Sequence, residues 1–219
     1  MEKEFESFRR QHQLNYKEAY RIFLKLCAGG LVGKLPKEFQ PYEESALPLI
    51  KSFLETANKN PYRDNLGELW MWVVNNYGKA ENGQFFTPKD VCELISKMMM
   101  DRSDYLKLDR YNSFDNPFKF EEPCCGSGAM VIPVYRDLMN NNPDLHIELF
   151  LNDLDEVCTI AAFIQITLLM IHLDSMHRTK LVVTRGNILT HPHGEELRYA
   201  VGLSNDEILK TEWRILNSK

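Results

Sequence analysis

The second half of the chain alternates short apolar runs with long helical stretches, and this alternation constrains the fold more than any other feature. Apolar runs at Phe118–Glu122, His146–Leu151 and Lys180–Thr184 predict three strands. Helical patterns occupy Ala129–Met139 and Asp155–Leu173 between them. Strands that alternate with helices are joined by crossovers and run parallel. The sequence therefore predicts an α/β fold with a doubly wound parallel sheet.

Two further elements are expected after the third strand, and one helix is expected before the first. Leu197–Leu203 has the pattern of a fourth strand, and Asp206–Leu216 has that of a closing helix. Another helix is expected to begin near Pro88, because proline suits the first helical position after a threonine cap, and to run to about Met100.

The N-terminal part of the chain has helical periodicity. Apolar residues recur three and four positions apart in three stretches, Phe5–Leu26, Leu47–Ala57 and Leu66–Val74. Helix breakers, among them Gly29-Gly30 and Pro61, separate these stretches. We therefore expect an N-terminal helical region over residues 1–82 and an α/β domain over residues 83–219 that is incomplete at its C-terminus.

Composition restricts the setting in which the chain works. The formal net charge is −5, which argues against tight DNA binding by this chain alone, because such binding needs a basic surface. The most apolar stretch, Thr159–Leu173, carries Gln165 and is shorter than the roughly 20 residues of a membrane span. The five cysteines form no Cys-x-x-Cys pair, so no metal site is predicted. We expect a cytoplasmic protein without membrane contact.

A glycine-containing loop, Glu122–Gly128, follows the first predicted strand. In an open α/β sheet, ligands bind at the carboxyl ends of the strands. Gly126 and Gly128 would let the backbone approach a ligand, and the helix N-terminus behind them favours a negative group. The alternative is a tight strand-to-helix turn that needs flexible residues.

Acidic and amide side chains follow the next two strands. Asp153 comes at the end of the second strand, where a carboxylate can accept hydrogen bonds from both hydroxyls of a nucleotide ribose. Asp155 is better placed to cap the following helix. Asn187 follows the third strand and would either bond an adenine edge or form a turn.

Taken in order, these elements resemble the N6-adenine DNA methyltransferases that include the modification subunits of type I restriction–modification systems. Gly83–Pro88 reads Gly-Gln-Phe-Phe-Thr-Pro, as in that family, and Glu122–Gly128 matches its Asp-Pro-x-x-Gly-Ser-Gly loop with Glu for Asp. The resemblance implies a Rossmann-like S-adenosylmethionine-dependent methyltransferase sheet. The cofactor-binding residues that it implies are Gln84, Phe85, Phe86, Thr87, Pro88, Lys89, Glu122, Gly126, Ser127, Gly128, Asp153 and Asn187.

The chain departs from the family pattern at two places. Asn187 stands where the family usually has Asp. The family's Asn-Pro-Pro-(Tyr/Phe) segment, which holds the amino group of a flipped adenine, does not occur in the 219 residues. The candidate for its asparagine is Asn205, after the expected fourth strand. The alternative is that Ser204 and Glu207 form a capping box at the start of the last helix.

The resemblance implies a DNA adenine-N6 methyltransferase that uses S-adenosyl-L-methionine and contacts DNA through a partner, either a specificity subunit or a second methyltransferase chain. The degenerate catalytic segment supports an alternative, namely an inactive methyltransferase-fold protein that binds a cofactor or a partner in a regulatory or anti-restriction role. A third interpretation, methylation of small molecules or proteins, is disfavoured by the complete Gly83–Pro88 element.

Overall fold

The computed structural model describes residues 1–77, 87–99 and 108–217. Its α-helices are α1 (Glu2–Gln11), α2 (Tyr16–Val32), α3 (Glu43–Lys59), α4 (Asn65–Tyr77), α5 (Lys89–Met99), α6 (Val131–Asn141), α7 (Glu156–His172) and α8 (Asn205–Asn217). Its strands are β1 (Phe118–Glu122), β2 (Ile147–Asp153), β3 (Thr179–Arg185) and β4 (Glu196–Val201). Among these described helices, none combines the length and the apolar character that crossing a membrane requires.

The four strands form one sheet in the order β1-β2-β3-β4. β1 and β2 are parallel, as are β2 and β3, so the three strands predicted from the apolar runs are confirmed in position and direction. β4 is antiparallel to β3, with Val201 opposite Leu181 and Glu196 opposite Arg185. Residues 186–195, all of which the structure describes, form no helix. A parallel return needs a crossover of a dozen or more residues, so this short connection produces an antiparallel strand.

The doubly wound arrangement of the sheet stays a prediction, because the structure describes two crossovers of one direction. Helix α6 connects β1 to β2, and α7 connects β2 to β3, so both crossovers proceed in the same direction along the sheet. Right-handed crossovers of the same direction place their helices on one face of the sheet. α6 packs against α7, and α7 packs on β2 and β3. Along β2, Ile147, Leu149 and Leu151 are buried, whereas Glu148 and Phe150 on the other face remain partly exposed. The crossover helices therefore cover one face of the sheet. α8 lies against the other face, where Lys180 pairs with Glu207.

The N-terminal helices differ from the sequence expectation in two places. The stretch Phe5–Leu26 is divided between α1 and α2 at Gln13, which has a φ of 53°, and Asn15 caps α2 by accepting from Glu18 N at 2.8 Å. Gly29-Gly30 does not end a helix, because α2 continues to Val32 and Gly33 closes it with a φ of 68°. A glycine at position 29 leaves room for Leu35, whose Cδ1 would lie 2.8 Å from an added Cβ.

The hydrophobic core is continuous between the N-terminal helices and the sheet. α2 and α4 pack on α7, which packs on the strands. Buried side chains from both parts, such as Phe23 and Phe53 from the helices and Phe163 and Leu149 from the α/β part, belong to one cluster. The division of the chain at residues 82 and 83 stays a prediction, and it falls in a stretch outside the described residues.

Gln165 places a polar side chain in the otherwise apolar helix α7 and is only 6% exposed. Its Nε2 donates to Asp64 Oδ1 and to the carbonyl oxygen of Ser127, both at 2.7 Å. Its Oε1 accepts from the backbone N of Leu66 at 3.0 Å. One amide thus joins the start of α4, the glycine loop and the central helix. The polar residue that interrupts the apolar stretch is the one that ties the two parts of the chain together.

We expect Gln165→Leu to lower the free energy of unfolding by about 3 kcal/mol, because it leaves a buried backbone N–H, a buried carbonyl and part of a carboxylate without partners. The matched control is Thr167→Val on the same helix. The Thr167 hydroxyl is buried and has no hydrogen-bond partner among the described residues, so its removal is expected to be neutral or stabilising. Urea denaturation measures both variants. Equal losses in the two would contradict this account of Gln165.

Candidate cofactor site at the carboxyl edge of the sheet

The glycine loop after β1 has the backbone geometry that its sequence suggests. Gly126 and Gly128 have φ values of 53° and 92°, in the left-handed region that residues with a side chain rarely adopt. The backbone N of Cys125 donates to the carbonyl oxygen of Asn152 at 2.8 Å, which fixes the loop to the end of β2. The loop is therefore held at the carboxyl edge of the parallel strands, where α/β folds bind ligands.

Asp153 is oriented by two backbone amides. Its Oδ2 accepts from Gly126 N at 2.8 Å, and its Oδ1 accepts from Asp155 N at 2.9 Å. A carboxylate has about four acceptor positions on its two oxygens. These two hydrogen bonds therefore leave acceptor capacity on both oxygens of a partly exposed side chain. The structure brings the glycine loop and the acid after β2 together, and the acid can still accept hydrogen bonds from two ligand hydroxyls.

Asp155 has the capping role that the sequence indicated. Its backbone is extended, and its Oδ1 accepts from Val157 N at 2.8 Å at the first turn of α7. Two acids that are two residues apart thus have different roles. Asp153 faces the glycine loop, and Asp155 satisfies a backbone donor of the helix.

Glu122 lies at the end of β1, at the start of the glycine loop. Burial raises the pKa of its carboxyl group, and the charge of Asp153 adds to this effect, while a hydrogen bond from Cys124 N at 3.4 Å opposes it. Two neighbouring carboxyl groups at the edge of the sheet disfavour a negative ligand group between them, in contrast to the negative group that the helix N-terminus was expected to favour. They favour hydroxyl donors or a positive charge.

The side chain of Ser127 is fully buried, and both its hydroxyl and its carbonyl oxygen form hydrogen bonds with other residues of the protein. Its Oγ donates to Asp64 Oδ2 at 2.6 Å. Asp64 also accepts from the backbone N of Gly67 at 2.8 Å. Burial raises the pKa of Asp64 against the lowering effect of these hydrogen bonds. The Ser127 side chain therefore anchors the loop to the start of α4.

Asp64 and Asn152 are two site residues that sequence reasoning missed. Asn152 is 1% exposed, and its Nδ2 donates to the carbonyl oxygens of Pro123 at 3.1 Å and Gly186 at 3.0 Å. It therefore holds the loops after β1 and β3 together. The available signals were an amide in a buried strand end and an acid three residues before Gly67, a spacing typical of a helix cap.

Thr87, Pro88 and Lys89 lie at the start of α5, at the rim of a cavity of about 430 Å³. The cavity walls also include Tyr62, Asp64, Glu68, Trp72, Glu93 and Ala129. The helix begins at Lys89, one residue later than expected for a proline at its first position. Three further expected cofactor residues, Gln84, Phe85 and Phe86, lie outside the described residues.

Charged contacts fix α5 against α6. The Arg136 guanidinium donates to both carboxylate oxygens of Glu93 at 2.8 Å, and Ser96 Oγ donates to Asp137 at 2.9 Å. This bidentate pair lowers the pKa of Glu93. The helix that follows the Thr87-Pro88 segment is thus fixed relative to the helix that follows the glycine loop.

Asn187 forms the turn that was one of its two expected roles. Its Oδ1 accepts from Leu189 N at 3.1 Å, and the side chain is exposed. The preceding Gly186 donates its N–H to the carbonyl oxygen of Asp153 at 3.1 Å, so the turn lies beside the acid. A role of Asn187 in binding adenine stays a prediction.

Asn205 is not brought to this site. Because β4 is antiparallel, its carboxyl end lies beside the amino-terminal part of β3, at the edge of the sheet opposite the glycine loop. The alternative capping box is present, since Glu207 Oε2 accepts from Ser204 N and Ser204 Oγ at 2.8 Å. β4 therefore does not have the direction that would bring the residue after it to the glycine loop. This geometry argues against Asn205 as the catalytic residue.

Three parallel strands with a glycine loop after the first and an acid after the second are the arrangement of a Rossmann-like fold. The profile of the N-6 DNA Methylase family matches residues 61–208, about two thirds of the sequence, and the chain belongs to this family. The resemblance to the N6-adenine DNA methyltransferases is thereby confirmed, and the two relatives below support its type I modification-subunit kind.

Two relatives come from Methanocaldococcus jannaschii. The type I restriction enzyme MjaVIII methylase subunit is 30% identical over 99 residues, which cover 44% of this chain and 15% of the relative. The MjaVII methylase subunit is 27% identical over 141 residues, which cover 64% of this chain and 22% of the relative. The chain thus matches less than a quarter of the length of either relative.

A crystal structure from Listeria monocytogenes shows the same fold. It carries the description class I S-adenosylmethionine-dependent methyltransferase and superposes with a TM-score of 0.50 at 15% identity, covering 84% of this chain and 50% of that one. This similarity confirms the expected methyltransferase-type α/β fold with its helical N-terminal region.

The capping box gives a prediction about the Asn205 region. Ser204→Ala is expected to lower the free energy of unfolding by about 1 kcal/mol through loss of the helix cap. Asn205→Ala, one residue later on the exposed start of α8, is expected to change it by less than about 0.5 kcal/mol. Thermal denaturation of both variants checks this. A larger loss for Asn205→Ala than for Ser204→Ala would show that Asn205 has contacts beyond those described.

Proposed function

We propose that this chain is the S-adenosyl-L-methionine-binding part of a DNA adenine-N6 methyltransferase of the type I modification-subunit kind. The observation that carries the proposal is Asp153, whose carboxylate is fixed by Gly126 N–H and Asp155 N–H and retains free acceptor positions. Membership in the N-6 DNA Methylase family supports the reaction class.

The residues at the edge of the sheet suit an adenosyl group. Asp153 would accept hydrogen bonds from the two ribose hydroxyls. Leu154, which is 66% exposed immediately after it, offers apolar surface beside the acid. Asn187, on the neighbouring turn, would lie near the adenine. These groups fit a nucleoside better than a phosphate, because Glu122 and Asp153 would repel a negative group.

The cavity beside Thr87 and Pro88 suits the methionine part of the cofactor. S-adenosyl-L-methionine carries a positive sulfonium, whose methyl group is the one transferred, and an α-amino acid end with a positive ammonium and a negative carboxylate. The cavity walls include the aromatic rings of Tyr62 and Trp72, which attract a cation, and Lys89, whose ammonium suits the carboxylate. Its volume of about 430 Å³ lies in the range of small-molecule sites.

Holding the target adenine requires groups beyond those that would bind the cofactor. Adenine N6 is reached only after the base leaves the duplex, and its amino group must then be held by acceptors. Asn205 lies at the opposite edge. We infer that a partner, either a specificity subunit or a second methyltransferase chain, contributes to DNA binding. The net charge of −5 supports DNA contact through a partner.

A second candidate function is a cofactor-binding or partner-binding module without methyltransferase activity. The observation that favours it is the position of Asn205, together with the absence of an Asn-Pro-Pro-(Tyr/Phe) sequence from the 219 residues. Both candidates share the cofactor site and differ in whether a methyl group reaches DNA.

The cofactor site is tested by the same substitution at two neighbouring acids. Asp153→Asn is expected to weaken binding of S-adenosyl-L-methionine by about 2 kcal/mol, or about thirty-fold in Kd, because one charged acceptor is lost. Asp155→Asn is the control, since asparagine caps helices as well as aspartate does, and it should leave the Kd within about two-fold. Isothermal titration at constant pH measures both. Equal effects of the two substitutions on the Kd would contradict the assignment of Asp153 as a cofactor-binding residue.

Methyl transfer distinguishes the two candidate functions. The chain is incubated with DNA and S-adenosyl-L-methionine labelled in the methyl group, with and without a type I specificity subunit, and the digested DNA is analysed for N6-methyladenine. The proposal predicts label in adenine when the partner is present. A chain that binds the cofactor but transfers no label under either condition would support the inactive module.

A further inference from the structure

We propose that Asp64 is a positioning residue of the cofactor site, which holds the glycine loop in its binding conformation through Ser127. Asp64 lies in the N-terminal helical part of the chain, 63 positions before Ser127. The inference rests on the proposed cofactor site, because it concerns how that site is kept in shape. It gives the N-terminal helices a role in ligand binding.

Asp64 accepts hydrogen bonds from three different elements. Ser127 Oγ of the glycine loop donates to Oδ2 at 2.6 Å. Gln165 Nε2 of α7 donates to Oδ1 at 2.7 Å, and Gly67 N at the start of α4 donates to the same oxygen at 2.8 Å. The carboxylate is therefore the point at which the loop, the central helix and α4 are connected.

The loop needs such an anchor because of its composition. Gly126 and Gly128 both have left-handed φ values, and glycine has more conformational freedom to lose on ordering than any other residue. Ser127, between them, supplies the side chain by which the segment is held. Its Oγ is bound to Asp64, and its carbonyl oxygen is bound to Gln165, so both of its oxygens belong to one network.

The same contacts fix a wall of the cavity relative to the loop. Asp64 lines the cavity, as do Gly67 and Glu68 from the first turn of α4, together with Ala129, which directly follows the glycine loop. An added Cβ at Gly67 would collide with Asp64 Oδ2, so the backbone of α4 approaches the carboxylate closely. Asp64 therefore sets the separation between the two walls that would enclose the methionine part of the cofactor.

The variants Asp64→Ala and Asp64→Asn distinguish the loss of the hydrogen bonds of Asp64 from the loss of its negative charge. The alanine variant loses all three hydrogen bonds. In the asparagine variant the amide oxygen can still accept from Gly67 and Gln165, and the amide nitrogen can donate to Ser127 Oγ, because a hydroxyl also accepts. Asn15→Ala is the matched control, since it removes a helix cap whose Oδ1 accepts from Glu18 N in α2. Circular dichroism establishes that every variant is folded at the temperature used.

Cofactor titration gives the first readout. Asp64→Ala is expected to weaken binding of S-adenosyl-L-methionine by about ten-fold or more, Asp64→Asn by less than about three-fold, and Asn15→Ala not at all. In the double variant Asp64→Ala/Ser127→Ala, binding should be no weaker than in Asp64→Ala alone, because Asp64 acts through Ser127. Additive losses, or unchanged binding in Asp64→Ala, would overturn the proposal.

Amide hydrogen exchange without cofactor gives the second readout and is independent of the proposed function. Gly126 N and Gly128 N are hydrogen-bonded, to Asp153 and to the carbonyl oxygen of Cys125, so their exchange reports opening of the loop. Asp64→Ala should accelerate both amides by about ten-fold or more relative to Asn15→Ala. If the wild-type chain binds no S-adenosyl-L-methionine, the proposed function fails and this measurement alone decides the role of Asp64. Unchanged exchange at both amides would overturn that role.

Discussion

The structure depends on one hydrogen-bonded network, in which Asp64, Ser127 and Gln165 join three separate parts of the chain. Polar groups withdrawn from water are stable only when each has a partner, and a network that loses one member leaves the others unsatisfied. Here every donor and acceptor of the Gln165 amide that the structure records is directed at α4 or at the glycine loop. The network therefore specifies how the helical part docks on the sheet, whereas the apolar contacts around it supply most of the stability.

A second set of contacts fixes β4 in a structural role. Glu156, at the start of α7, pairs with Lys25 of α2 and with Arg198 of β4, both at 2.6 Å. These cations hold the pKa of Glu156 below its usual range, against the effect of burial. The Tyr199 ring stacks on Phe163 with 4.1 Å between centroids. β4 thus covers the side of α7, and its carboxyl end leads away from the candidate cofactor site.

The parts of the fold that local sequence determines were predictable. β1 has the bounds expected from its apolar run, and the roles of Asp155 and Ser204 followed from spacing typical of helix caps. The direction of β4 was not predictable from its own residues, because a strand has the same alternation in either direction. Its direction depends on the connection after β3, which is too short for a crossover.

The site was predictable to the extent that it lies at strand ends. Asp153 and the glycine loop could be named because parallel strands bring their carboxyl ends together. Asp64 and Asn152 could not, because their partners Ser127 and Gly186 lie far along the chain, and the local cap spacing of Asp64 does not identify such a partner. Gly29-Gly30 was misread as a break because glycine in a helix has a modest cost, which close packing against Leu35 offsets.

The central claim is that S-adenosyl-L-methionine binds between the glycine loop, Asp153 and the start of α5. Hydrogen exchange mass spectrometry of the wild-type chain, with and without saturating cofactor, tests it most directly. The account predicts new protection in peptides that contain Gly126–Ala129, Asp153 and Thr87–Lys89, and unchanged exchange in α8. Protection confined to other parts of the chain, or its absence at saturating cofactor, would contradict the account.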